Sequence, residues 1–152
     1  MNQTKHIYVV YIATTADKLW KAITDRELAR QYWGHENVSD WKVGSRWSHV
    51  AAEPARPERI VGKVIEVTPP TRLVMSWADP KDEADKSQHS RVTFDIEPLD
   101  DMVKLTVTHD ELAAGSNMER GITKGWPLVL SSMKSFLETG KGLDIWATKK
   151  PA

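Results

Sequence analysis

Apolar positions recur with a period of two through the middle of the chain and with a period near 3.6 at its end, and this change divides the sequence into elements. "KHIYVVYIATT" near the start is apolar on both faces and rich in valine, isoleucine and tyrosine. It reads as a strand inside a covered sheet. Thr14 or Thr15 then caps a helix through "ADKLWKAIT", with Asp17 set against the helix dipole and Leu19, Trp20 and Ile23 on one side. Asp25 caps a second short helix through "RELARQYW", which Gly34 stops.

From Gly34 to His109 short strands alternate with turn residues. "WKVGSRWSHVA" turns at Gly44 into a strand with Trp47, His49 and Ala51 on one face and Arg46, Ser48 and Val50 on the other. "RIVGKVIEV" ends at Pro69 and Pro70, and "RLVMSW" follows with Leu73, Met75 and Trp77 alternating. After the charged connection "ADPKDEADKSQH" come the clearest pair, "SRVTFDIE" and "MVKLTVTH", joined by the turn "PLDD".

In the last third Ser116 and Glu119 have capping-box spacing. They predict a short helix from about Asn117, passing Gly121 into a main helix near Gly125 with Pro127 in its first turn. Trp126, Val129, Leu130, Met133, Phe136 and Leu137 mark one face of that helix, and Gly140 ends it. The order is strand, two short helices, a run of about five strands and one long amphipathic helix. An α+β fold follows, an antiparallel sheet of about six strands with helices gathered on one face.

Composition narrows the function classes. The 152 residues suit a single domain over 1–152. The 21 basic and 21 acidic side chains cancel, so no net field attracts nucleic acid or a membrane surface. Without cysteine there is no disulfide or thiolate chemistry, and a cytoplasmic location is the simplest expectation. "IYVVYIA" is too short for a secretory leader core plus cleavage site, and no run approaches the ~20 apolar residues of a membrane span. Seven tryptophans against two phenylalanines concentrate large indoles in a small domain. Trp33, Trp41, Trp77 and Trp126 each read singly as core; their density points to a cavity.

Register sharpens that picture. Val92, Phe94 and Ile96 must share a face with Val103, Leu105, Val107 and His109, which sets His109 opposite or beside Val92. Trp77 belongs at the same end of the same face. His109 is then either a fraying strand end satisfied by water, Asp110 or Glu111, or a polar anchor in an apolar pocket. His49, beside Trp47, presents the same alternatives. The helix side of the cavity is assigned to Trp126, Leu130 and Met133, and the rest of its wall to Trp33, Trp47, His49, Trp77, Phe94 and His109. Val129, Phe136 and Leu137 are assigned to the core below.

Searches for other chemistry return nothing. The histidines His6, His35, His49, His89 and His109 lack metal-ligand spacing, and His35 beside Glu36 points away from it on a strand. Nucleophile-elbow, phosphate-loop and dinucleotide motifs are missing, so neither a metal nor a cofactor is expected. Carboxylates such as Asp95 and Glu97 alternate outward, while the face taken by Glu66 stays open.

Six segments in order resemble the START-like superfamily, and within it the group named after the activator of the heat-shock protein 90 ATPase. They are "IATTADKLWKAITD", "YWG", "WKVGSRW", "GKVIEVTPPTRLVMSW", "VTHDEL" and "GWPLVLSSMKSFLETG". The resemblance runs from Val10 to Gly142 and implies a helix-grip fold, a curved sheet wrapped around the C-terminal helix with a cavity between them. Relatives of this kind hold lipids, polyketides or other hydrophobic molecules there, and some convert them. The chaperone activators carry an additional N-terminal domain, for which this chain has no room. The superfamily supplies no fixed catalytic set.

Three functions are therefore weighed. The first is binding of a small, largely hydrophobic molecule. The second is a cyclase, hydrolase or isomerase on an aromatic or polyketide-like substrate, with His49, His109 or Glu66 as acid or base. The third is a chaperone-partner or interaction module, which requires an exposed apolar patch outside the fold. A second copy of the chain is a further candidate partner, with the tail "LDIWATKK" around Trp146 packing on a neighbour.

Overall fold

The computed structural model describes residues 2–146. Among these, seven strands form one curved antiparallel sheet. They are β1 (Gln3–Ile12), β2 (His35–Val38), β3 (Arg46–Ala51), β4 (Glu58–Thr68), β5 (Arg72–Trp77), β6 (Ser90–Pro98) and β7 (Val103–Ala113), in the order β1-β7-β6-β5-β4-β3-β2. Two short helices, α1 (Ala16–Thr24) and α2 (Arg26–Trp33), follow β1, and the long helix α3 (Asn117–Thr139) closes the fold. The α+β helix-grip architecture expected from the sequence is the one observed.

Capping chemistry sets the helix ends. Thr15 accepts from Lys18 N at 3.2 Å, and Asp25 accepts from Leu28 N at 3.1 Å. Gly34 and Gly140 end α2 and α3 in the left-handed conformation that glycine adopts at no steric cost. The β6–β7 register pairs Val92 with His109, Phe94 with Val107 and Ile96 with Leu105, so the alternating apolar residues share one face. That face and the apolar stripe of α3 bury the main core, in which Leu73, Met75, Phe94, Leu105 and Met133 are almost fully enclosed.

Three expectations are corrected. First, β1 is an edge strand with one face bare, not a strand inside a covered sheet. Tyr8, Val10 and Ile12 turn inward opposite Val107, Leu105 and Val103, while Ile7, Val9 and Tyr11 are 59%, 50% and 48% exposed. Apolar composition on both faces is here not burial on both faces. Second, the sheet has a seventh strand: "HENV" at β2 lacks alternation, yet it pairs with β3 from His35↔Ala51 to Val38↔Ser48.

Third, α3 is one continuous helix from Asn117, so Pro127 lies inside it instead of in a first turn. Ser116 caps it by accepting from Glu119 N at 3.1 Å, and the Glu119 carboxylate accepts from Gly115 N at 2.8 Å. Pro127 supplies no N–H to the carbonyl of Thr123, and both residues are exposed to solvent.

The segment after α3 folds back on α2. The Ser132 hydroxyl donates to Tyr32 O at 2.6 Å and accepts from Leu143 N at 2.8 Å, joining α3, α2 and this segment. Trp146 donates from Nε1 to Trp33 O at 2.9 Å and stacks on His35 with ring centres 4.8 Å apart. Trp146 therefore packs within its own chain, and the rest of the expected tail contact, 147–150, lies outside the described residues.

Candidate functional site

A cavity of about 950 Å³ opens between one end of the sheet and α3. That is at the upper end of the roughly 300–1,000 Å³ common for small-molecule sites. Its wall is built from aromatic rings delivered by different elements: Trp33 ends α2, Trp77 ends β5 and Trp126 lies on α3. Ring centres run in a chain, Trp77 to Trp126 at 5.5 Å, Trp126 to Trp33 at 5.7 Å and Trp33 to His49 at 4.3 Å. His35 and Trp146 complete that side. Ile122 and Val129 of α3 add aliphatic surface, Val129 belonging to the core as expected while also reaching the cavity.

Of the residues assigned to the cavity by sequence, Trp33, His49, Trp77 and Trp126 stand on its wall. Trp47, Phe94, Leu130 and Met133 are buried in the core that backs the wall. Trp47 sits behind Trp77, its ring 5.3 Å away and its Nε1 donating to Ser76 O at 2.8 Å. Phe94 meets the edge of Trp126 at 5.9 Å. Such residues share a face with the wall residues, but alternation alone does not tell how far along a strand the cavity extends.

His109 is the polar strut behind the wall. It is fully buried, and its partners define its tautomer. Trp126 Nε1–H donates to Nδ1 at 3.0 Å, so Nδ1 is an acceptor and Nε2 carries the proton. Nε2–H donates to Ser90 Oγ at 2.8 Å, and the Ser90 hydroxyl donates onward to Trp77 O at 3.1 Å. Burial holds the imidazole neutral and pushes its pKa down to about 3. The chain thus ties the indole of Trp126 to the backbone of Trp77 and fixes two faces of the cavity against each other. The fraying-end alternative is excluded; His109 works from behind the wall.

A second histidine pair stands at the other side. Asn37 Nδ2 donates to Ile23 O at 2.9 Å, which leaves Asn37 Oδ1 to accept from His49 Nδ1–H at 2.8 Å. His49 Nε2 is then the acceptor for His35 Nδ1–H at 2.9 Å. Burial, and then the neighbouring His35, push the His49 pKa well below the ordinary value. His35 was not assigned to the cavity because its strand, β2, was given no place in the expected element order; the readable signal was the potential pairing of "HENV" with "SHVA".

Glu66 is settled on the outer surface, where Arg72 Nε meets it at 3.1 Å, and it has no part in the cavity. Glu36 is buried and held by Arg56 at 2.7 Å, Arg26 at 3.2 Å and Arg30 at 3.6 Å. Among the described residues no group of three or more histidine and acidic side chains is arranged to hold a metal ion. None of the helices among them is long and apolar enough to cross a membrane.

A curved antiparallel sheet gripping a long C-terminal helix, with an aromatic cavity between them, defines a START-like helix-grip protein. The chain belongs to the family described as Activator of Hsp90 ATPase homolog 1-like protein, whose model matches residues 13–138. Among solved structures it is similar to the Aha1 dimer from Colwellia psychrerythraea, with a TM-score of 0.76, 18% identity, and 91% of this chain covering 99% of that one. It is similar to CalU16 from Micromonospora echinospora, with a TM-score of 0.70, 19% identity, and coverage of 90% and 77%. It also resembles an HSP90 activator from Plasmodium falciparum, with a TM-score of 0.71, 22% identity, and coverage of 88% and 95%. No curated protein matches its sequence.

Proposed function

We propose that the protein binds a small, largely hydrophobic, flat molecule in the cavity between sheet and α3. The observation that carries this reading is the glycine pair of α3. Gly121 and Gly125, one helical turn apart, both line the cavity, and a Cβ built on either meets nothing within 4 Å. Glycine inside a helix costs roughly 0.5–1 kcal/mol relative to alanine. Neither position is occupied by a neighbour that demands glycine, so the cost maintains open space beside Trp126. The indoles around that space offer stacking surfaces to an aromatic or polyene ligand.

The reading is tested by titrating 15N-labelled protein with naphthol and following the indole N–H signals. Shifts concentrated at Trp33, Trp126 and Trp146 support it. Saturating naphthol without shifts at these indoles contradicts it.

A second reading concerns self-association and rests on the bare row Ile7, Val9 and Tyr11 on the outer face of β1. Such a row on an edge strand is a surface that a second copy of the chain can cover. Light scattering should then report a dimer that Val9→Lys converts to monomer; a wild-type monomer at high concentration refutes it.

A further inference from the structure

We infer that two copies of the chain join by pairing their β1 strands edge to edge, antiparallel, with Ile7 of one copy opposite Val9 of the other. This rests on the self-association reading and gives it a mode of contact, because the bare outer row and the free edge belong to the same residues.

Backbone direction along β1 decides that mode. Its even residues turn their N–H and C=O groups toward β7: Asn2 O accepts from Ala114 N at 3.1 Å, and the register from His6↔His109 to Ile12↔Val103 is unbroken. The odd residues then present theirs to the free edge of the sheet. Two contacts fix this direction. Tyr11 O accepts from Lys134 Nζ at 2.6 Å, and Ala13 N donates to the Glu138 carboxylate at 2.8 Å. One end of the edge is thus capped by the Lys134–Glu138 ion pair of α3, and a bulge between Thr4 and His6 interrupts the other. Both features keep an edge strand from pairing. Between them, among the described residues, no hydrogen bond reaches the outward N–H or C=O of Ile7 or Val9.

This two-residue window is self-complementary. A two-fold axis beside Tyr8 sets Ile7 against Val9 in both directions, so the outward groups of both copies close four hydrogen bonds. A slip that sets Val9 against Val9 would need Tyr11 O, where Lys134 already sits. On the outer face the same register lays Ile7 beside Val9 and Tyr11 beside Lys5, an apolar and a cation–ring match. The window itself carries no charge. Three apolar side chains from each copy and four hydrogen bonds make a small, reversible interface, below about 1,200 Å². The dimer should therefore dissociate on dilution through about 10 μM.

Amide hydrogen exchange of the wild-type protein, resolved by residue with mass spectrometry at about 5 μM and about 500 μM, tests this. The Ile7 and Val9 amides should exchange roughly tenfold more slowly at the higher concentration, while those of Tyr8 and Val10, held in the β1–β7 ladder, are protected at both. In a mixed-label NMR sample, Tyr8 Hα of one copy should show a nuclear Overhauser contact with Tyr8 Hα of the other. Val9→Pro removes one donor at a position where an edge strand tolerates proline. It should keep cooperative unfolding and dissociate roughly tenfold more readily. If that variant does not fold, the exchange measurement decides alone. A dimer whose Ile7 and Val9 amides exchange freely, or a folded Val9→Pro variant that dimerises as tightly as wild type, overturns edge pairing and leaves self-association through the outer face standing. A protein that stays monomeric at about 500 μM removes both.

Discussion

His109 shows how one side chain converts a cluster of indoles into a defined wall. In the neutral form it accepts from Trp126 and donates to Ser90, and a proton added at Nδ1 would abolish the Trp126 bond. Its pKa is near 3 in the folded protein against about 6.5 in the unfolded chain, so the unfolded state binds the extra proton between those values. Stability is therefore highest above about pH 6.5 and falls as pH drops toward 3, with a limiting slope of about 1.4 kcal/mol per pH unit. His49, also depressed, adds to the same slope. Urea unfolding across pH should show it. His109→Leu should lose about 2–4 kcal/mol at neutral pH, because two buried polar groups lose their partner, yet show a shallower pH slope. An unchanged slope in that variant would contradict the assigned neutral state. The sequence placed His109 opposite or beside Val92 by parity alone. Whether it frayed or was buried depended on α3 crossing over it, which no local pattern encodes.

Elements were legible where their apolar pattern and their caps agreed. β6 and β7 were read with the parity of their pairing because alternation on both strands must put the apolar residues on one face, and α1 and α2 because Thr15, Asp25 and Gly34 mark their ends. β2 was missed because its stability resides in tertiary partners, namely the pairing with β3 and the burial of Glu36 among three arginines. Hydrogen bonds from Arg56, the largest influence, and from Arg26 hold the Glu36 carboxyl below its ordinary range. This contribution is present at neutral pH and is lost as pH falls through that lowered value. Glu36→Gln should cost about 1–3 kcal/mol, measured by thermal unfolding; a smaller loss would show that the ion pairs are solvated. Gly62 in β4 gives a steric counterpart. A Cβ there would sit 1.9 Å from Ser76 O and 2.6 Å from Trp47 Nε1, the two groups that bond each other. Gly62→Ala should destabilise by about 3 kcal/mol, with the fluorescence of Trp47 altered, whereas a neutral substitution would mean the strands separate easily.

At the scale of the whole molecule, the helix-grip topology brings the ends of α2, β5 and β3 to the same side of α3, so residues far apart in sequence meet as one aromatic wall. The sequence named four of these wall residues through face and density. It assigned the same role to Trp47, Phe94, His109, Leu130 and Met133, because the boundary between packed core and open space is set by what α3 leaves out. That boundary lies at Gly121 and Gly125, whose missing side chains no hydrophobic pattern reports. Filling the space there tests the central claim most directly. Gly125→Leu should fold normally and gain roughly 0.5–1 kcal/mol of stability from the relieved helix glycine. Calorimetric titration with naphthol should then show at least a tenfold weaker affinity than for the wild-type protein. Equal affinity in the folded variant would contradict a ligand site beside Trp126.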